Sequence, residues 1–343
     1  MLLITGVAGF IGFHVCRHYL ERGVAVLGVD NINDYYDVDL KYARLRQLED
    51  YSDFRFLRLD LADRQAVEQL FHDYRINRII HLAAQAGVRH SIEKPMEYID
   101  SNVVGFMTIL EGARHHRVKH LVYASTSSVY GANSIRPFSE KQGVNHPLAL
   151  YAATKRFDEL AAHSYSSLYK LPTTGLRFFS VYGPWGRPDM ALFKFTKNIL
   201  EDKSIDVYNH GDMIRDFTYV DDIVEGVVRA LEMIPLASDD WSEDELNTPD
   251  ISYAPFRIYN IGNGKTIQLM EYIKAIEHHL GKKASLNFLP MQPGDVPAAC
   301  ADVSSLERNI GYKPKVDVLD GMKLFIDWYI KYYKYTIEKE PAV

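Results

Sequence analysis

Short apolar runs alternate with helical patterns through the first half of the chain. Residues 1–4, 23–30, 54–60, 78–84, 118–124 and 172–177 read as strands, separated by helical patterns of which 13–21, 96–116 and 150–169 are the clearest. Alternation at this spacing predicts a parallel sheet covered on both faces, with ligands gathering at the carboxyl ends of its strands. From about Val181 the pattern loosens, and Pro184, Gly186, Pro188, Gly211, Pro255, Gly262, Gly264, Pro290, Pro293 and Gly294 interrupt short elements. Residues 237–250 are acidic and polar, and are expected to form an exposed insertion. Residues 324–335 set Phe325, Trp328 and Tyr329 among lysines at helical spacing, which predicts a docked terminal helix.

The first strand breaks at Thr5-Gly6-Val7-Ala8-Gly9-Phe10-Ile11-Gly12, and a helix follows. Strand, glycine turn and helix make the motif meaningful. Gly6 and Gly9 permit a tight turn and the approach of a pyrophosphate. Gly12 lets the helix sit close to the sheet, and its N-terminus, at Phe10 and Ile11, offers N–H groups to the anion. Asp30 closes the second strand, followed by Asn31, where a carboxylate would bond an adenosine ribose and repel a 2′-phosphate; that favours NAD over NADP. Asp60 and Leu61 would border the adenine, and Ala83 lies where a cofactor would pass. The fold class expected is α/β: a Rossmann-type doubly wound parallel sheet over residues 1–180. A smaller α/β substrate-binding C-terminal domain over 181–343 would be interwoven with it.

At 343 residues the chain can bury a sizeable core, and 47% hydrophobic with 24% charged residues suits a globular enzyme. A net charge of −6 leaves no footprint for nucleic acid or an anionic membrane. Cys16 and Cys300 form neither a disulfide framework nor a metal ligand set. The pairs His115-His116 and His278-His279 are neighbours that do not face one ligand on a helix, and no metal is expected. The opening Met1-Leu2-Leu3-Ile4-Thr5-Gly6 lacks the basic stretch and long apolar run of a secretion signal, and no later apolar run is long enough to span a membrane. A soluble, cytoplasmic protein is expected.

In Leu150-Tyr151-Ala152-Ala153-Thr154-Lys155, Tyr and Lys four residues apart share a helical face. A phenol is ordinarily too weak an acid to work as a base near neutrality, and a neighbouring ammonium favours the phenolate. Upstream, Tyr123-Ala124-Ser125-Thr126-Ser127-Ser128-Val129-Tyr130-Gly131 ends a strand with clustered hydroxyls suited to a substrate oxygen.

Together these motifs resemble the extended short-chain dehydrogenase/reductase family through nearly the whole chain. The resemblance implies a cofactor site at Gly6, Gly9, Gly12 and Asp30, with Thr126, Tyr151 and Lys155 as the catalytic set and Lys155 also holding the nicotinamide ribose. It further implies NAD bound tightly and recycled, and a homodimer formed through helices 96–116 and 150–169. Within the family, 4,6-dehydratases carry an Asp-Glu pair where this chain has Ser127-Ser128, and UDP-glucuronate decarboxylases a Glu at the position of Ser128. Asp30-Asn31-Ile32-Asn33-Asp34-Tyr35-Tyr36, His81-Leu82-Ala83-Ala84-Gln85-Ala86-Gly87-Val88-Arg89 and the stretch from Val181 to Ala191 look like the branch that epimerises UDP-glucuronate at C4. Gln292, where plain UDP-galactose epimerases usually have Arg, points the same way; Ser180 departs from the Thr of many uronate enzymes. The expected reaction interconverts UDP-glucuronate and UDP-galacturonate through a 4-keto sugar. Ser127, Ser128 and Arg187 would hold the carboxylate, with Arg187 alternatively a surface residue paired with Asp189. Arg215 and Asp295 would take the nucleotide. Asp221-Asp222 resembles a metal pair, but the family has none there, and a helix N-terminus favours acids. Alternatives on the scaffold are a UDP-glucose/UDP-galactose 4-epimerase and a UDP-glucuronate decarboxylase. A non-catalytic NAD-binding protein would be expected to have lost part of the Thr/Tyr/Lys set.

Overall fold

The structure is a computed structural model that describes residues 1–242 and 247–336. Its centre is a sheet of seven parallel strands: β1 (Leu2–Thr5), β2 (Val26–Asp30), β3 (Phe54–Arg58), β4 (Arg78–His81), β5 (His120–Thr126), β6 (Thr173–Phe178) and β7 (Phe256–Ile261). The spatial order is β7-β6-β5-β4-β1-β2-β3. Strand order therefore reverses between β1 and β4, which opens a crevice at their carboxyl ends. The doubly wound α/β expectation is met. β7 lies in the stretch where the sequence pattern loosens and was not expected. It pairs with β6 from Phe256↔Thr173 to Ile261↔Phe178, so a late segment returns to the first sheet.

Alternate strand residues feed two apolar layers. Leu2 and Ile4 join Phe13, Val15, Val26 and Val122 on the face covered by α1 (Phe10–Leu20), α2 (Val38–Glu49) and the helix Val220–Glu232. Leu3 joins Leu27, Ile79, Phe106 and Leu121 on the other face, under α3 (Arg64–Asp73), α4 (Gly105–His115) and α5 (Leu150–Tyr169). The single helix expected over 96–116 is three pieces: a turn at Pro95–Tyr98, a π-helical segment at Ile99–Val104, and α4. The wider segment buries Asn102, whose side chain bonds Gln85 N, Gln85 O and Thr154 Oγ1 at 2.7, 3.1 and 3.0 Å. A uniform apolar period gives no sign of such a bulge, a feature frequently found at functional sites.

Beyond β6, short strands pair in twos: Ser180–Tyr182 with Phe217–Tyr219, Ser204–Val207 with Ser285–Phe288, and Ile214–Arg215 with Ile267–Gln268. The terminal helix Val318–Tyr333 docks through Phe325, Ile326 and Tyr329, as its spacing predicts. Of the acidic insertion, Ala237, Asp239 and Asp240 are exposed while Asp250 is buried; residues 243–246 lie outside the described residues, as do 337–343 of the second predicted domain.

Candidate active site

A cleft of about 720 Å³ runs along the carboxyl ends of β1, β2, β4 and β5 and on beneath the C-terminal segments. Every residue predicted for cofactor, catalysis or substrate lines it: Gly6, Gly9, Phe10, Ile11, Gly12, Asp30, Asn31, Asp60, Leu61, Ala83, Thr126, Ser127, Ser128, Tyr151, Lys155, Arg187, Arg215 and Asp295.

The glycine turn works by close approach. A Cβ on Gly6, whose φ is +77°, would stand 2.7 Å from Ala83 N, and one on Gly12 would stand 2.0 Å from Gly6 O. No side chain caps α1 at Gly9, so its first amides face the cleft. Asp30 accepts from Ala8 N at 3.0 Å and Ile32 N at 2.8 Å, fixing its carboxylate at the rim. Burial pushes that carboxyl up, while the two N–H groups, Lys41 and Arg44 pull it down. Asn31 donates to Asp60 at 3.1 Å, and Asp60 also accepts from Ala62 N at 2.9 Å. An uncapped helix start, a cradle with no room for a Cβ and an acid at the end of β2 fit an adenine dinucleotide. Below them Thr5 accepts from Ala83 N at 3.1 Å and meets His81 Nδ1 at 2.9 Å. Burial and the nearby Lys155 lower that imidazole to about 3, so it is neutral.

At the carboxyl end of β5, Thr126 turns the chain by accepting from Ser128 N at 3.2 Å, and donates to the Ser128 hydroxyl at 3.3 Å. Tyr151 and Lys155 project from the first turns of α5. The Tyr151 ring stands edge-on to Tyr98, whose hydroxyl is tied to Ala86 O and Gly87 O at 2.8 and 2.6 Å. Lys155 donates to Asp158 at 3.0 Å, both side chains buried. Burial raises the Asp158 carboxyl to about 7, against the pull of Lys155. One carboxylate uses one of three ammonium protons, which leaves donors for a ligand.

Farther along, Arg187 and Asp189 form the pair held open as an alternative, yet Arg187 also faces the cleft. Its Nε donates to Asp189 Oδ1 at 3.0 Å and its Nη2 to Oδ2. Among the described residues only its Nε–Nη2 edge donates, so the Nη1 edge can still fork a second carboxylate. Tyr35 donates to the same Asp189 at 3.2 Å. Arg215 donates to Asp295 at 2.7 Å. Asp222 accepts from Lys315 N and Val316 N at 3.1 and 3.0 Å, which ties the helix Val220–Glu232 to the segment before the terminal helix. Sequence reasoning missed Tyr35, Lys41, Asp189 and Asp158 as parts of the site. Two of them left a local signal: Asp158, three residues from Lys155 on one helix, and Asp189, two residues from Arg187 and expected only as its surface partner.

The fold and this cleft define a dinucleotide-binding α/β protein equipped to move a proton on and off an alcohol. The chain belongs to the NAD dependent epimerase/dehydratase family, whose sequence model matches residues 2–241. It is 54% identical over 333 residues to "Protein CapI" of Staphylococcus aureus, which covers 97% of this chain and 99% of that protein. It is 48% identical to the "Probable UDP-glucuronate 4-epimerase" of Rhizobium meliloti, covering 97% of each. The crystal structure of UDP-glucuronic acid 4-epimerase from Bacillus cereus, in complex with UDP-glucuronic acid and NAD, superimposes with a TM-score of 0.85. Identity there is 34%, with 97% of this chain and 99% of that one covered.

Proposed function

We propose that this chain catalyses the reversible, NAD-dependent 4-epimerisation of UDP-glucuronate to UDP-galacturonate through a 4-keto intermediate. The observation that carries the reading is the joining of Thr126, Tyr151 and Lys155 in one cleft with a guanidinium, Arg187, that keeps an edge open for a carboxylate. Likeness to enzymes named for this reaction supports it.

Tyr151, as phenolate, takes the proton of the sugar 4-hydroxyl. NAD, cradled at Gly6, Gly9 and Gly12 with its adenosine ribose on Asp30 and Asn31 and its adenine beside Asp60 and Leu61, supplies the acceptor for the C4 hydride and its return to the opposite face. Lys155, one turn along the same helix as Tyr151, would hold the nicotinamide ribose with its ammonium donors. Thr126 bonds the 4-oxygen, and Ser127 and Ser128 grip the carboxylate.

A ketone at C4 makes the uronate a β-keto acid. If the C5–C6 bond stands perpendicular to the ketone plane, its electron pair flows into the carbonyl as an enolate and carbon dioxide leaves. Arg187 holds the carboxylate out of that arrangement through a planar, charged fork. Arg215 binds the diphosphate and Asp295 the uridine ribose. Residues 1–180 form the cofactor domain and 181–343 the substrate domain, interwoven through β7. The working protein is a cytoplasmic homodimer.

Proton NMR of UDP-glucuronate with purified protein and no added NAD tests the reading. UDP-galacturonate is the expected product. A UDP-pentose as main product makes the chain a decarboxylase, and no turnover even with NAD supplied rejects the substrate.

A further inference from the structure

Residues 183–189, the loop that carries Arg187, hang from the first domain by their own carbonyls. His14 of α1 bonds Pro184 O through Nε2 at 2.9 Å. Arg44 of α2 holds the next two: Nη2 donates to Trp185 O at 2.7 Å and Gly186 O at 3.3 Å, and Nε donates to Trp185 O at 3.2 Å. Its Nη1 turns the other way, to Ala8 O at 2.7 Å and the Tyr36 hydroxyl at 2.8 Å. Ala8 lies inside the glycine cradle, between Gly6 and Gly9. One guanidinium thus joins the cofactor turn to a loop about 140 residues away in sequence, |i−j| = 141 for Trp185.

Arg44 is wholly buried, and among the described residues no carboxylate lies within ion-pair distance of it. A buried guanidinium whose hydrogen bonds all go to carbonyls and a hydroxyl, with the Tyr36 ring 5.5 Å away and Asp30 acting on it only at a distance, is expensive, so a core-filling role does not explain it. A rigid fork with five donors is the side chain able to bind carbonyls on two sides at once. His14 is buried as well; burial lowers its imidazole to about 3, and the neutral ring serves Pro184 while Nδ1 finds no partner among the described residues. Trp185 has φ +63°, a left-handed backbone that a bulky residue keeps only when its surroundings impose it. Its ring is lodged against Phe13, Trp328 and Tyr332.

We propose that His14 and Arg44 are positioning residues that hold the Arg187 loop in register with the cofactor turn, and so set the angle at which Arg187 meets the substrate carboxylate. This rests on the carboxylate role of Arg187 argued above. Neither residue lines the cleft. Loosening their grip lets the C5–C6 bond swing toward the perpendicular. There its electron pair enters the ketone, carbon dioxide departs and C5 later takes a proton.

Arg44→Lys keeps the charge but cannot span Ala8 and Trp185 together. His14→Phe keeps ring volume beside Phe10 and Phe13 and drops only the Pro184 bond. Each purified holoenzyme is given UDP-glucuronate, and the ratio of UDP-pentose to UDP-galacturonate is read by NMR beside amide hydrogen exchange of residues 183–190. A misplacement of order 1 Å predicts a rise of about tenfold in that ratio for Arg44→Lys, a smaller rise for His14→Phe, and faster exchange in the loop. A wild-type ratio, with only the amount of active enzyme reduced, overturns the proposal, because a side chain that merely supports the core does not choose between products. If the wild-type protein leaves UDP-glucuronate untouched, the substrate assignment fails. The exchange arm still decides the mooring: faster exchange in 183–190 upholds it, and unchanged exchange in both variants rejects it.

Discussion

Arg187, half-buried at the cleft, and Glu140, fully buried, are both ionisable side chains withdrawn from water, and their partners give them opposite fates. Arg187 has the Asp189 carboxylate against it, and the pair keeps the guanidinium charged despite burial. Replacing it with His removes the fork and leaves a ring that is mostly neutral at pH 7. A charge-assisted bidentate contact is worth about 2–3 kcal/mol, so Arg187→His should raise KM for UDP-glucuronate by roughly thirtyfold or more, or raise the pentose fraction sharply. Unchanged KM and product ratio would remove Arg187 from the carboxylate site. Among the described residues Glu140 forms no ion pair. It accepts from Asn260 N at 2.8 Å, yet burial raises its carboxyl from 4.5 to about 7, with Asp250 and Asp302 adding to the rise. Between those values the folded protein holds a proton that the unfolded chain has released. The stability from this group is therefore complete below about pH 4.5 and is lost as pH rises through about 7. Glu140→Gln keeps the acceptor without the titration. It should match wild type in urea unfolding at pH 4.5 and exceed it by about 2–3 kcal/mol at pH 8. Parallel stability curves for the two proteins would show that Glu140 ionises in the fold without penalty.

Elements whose instructions are local were legible in the sequence. The unit β1–glycine turn–α1–β2 could be read because a short buried strand, three spaced glycines and an acid at the strand end lie within about 30 residues, the length of one such unit. Tyr151 and Lys155 could be read because helical geometry alone puts them together. β7 could not, because its pairing with β6 joins Ile261 to Phe178 across the first part of the looser region, and no local pattern encodes that register. The π segment at Ile99–Val104 was hidden for the opposite reason: its apolar spacing continues smoothly into α4, and what departs is the buried Asn102 reaching Gln85 and Thr154. The side chains that order the substrate end fail in the same way as β7. Tyr35 meets Asp189 with |i−j| = 154, and Arg44 meets Trp185 with |i−j| = 141, so each reads alone as an ordinary loop tyrosine or helix arginine.

At the scale of the whole molecule, α5 serves two surfaces. Its inward face carries Lys155, Asp158 and Glu159 against the sheet, and Glu159 is locked by Arg177 at 2.8 and 2.9 Å and by Ser125 at 2.7 Å. Its outward face leaves Leu160 55% and Leu168 68% exposed, eight residues apart and so on one stripe. Apolar side chains so displayed, beside α4, are what a second copy of the chain would cover in the proposed homodimer. Burying them in a symmetric contact would also brace the helix from which Tyr151 and Lys155 project, tying assembly to catalysis through one element. Light scattering of the wild-type protein should then give about twice the chain mass of 39.3 kDa. Leu160→Glu combined with Leu168→Glu would place two carboxylates in that contact and should give the single-chain mass. Both substitutions sit on a solvent-facing stripe, so the fold should survive and far-UV circular dichroism should be unchanged. A wild-type monomer would reject the homodimer, and a variant that remains dimeric would move the interface away from α5.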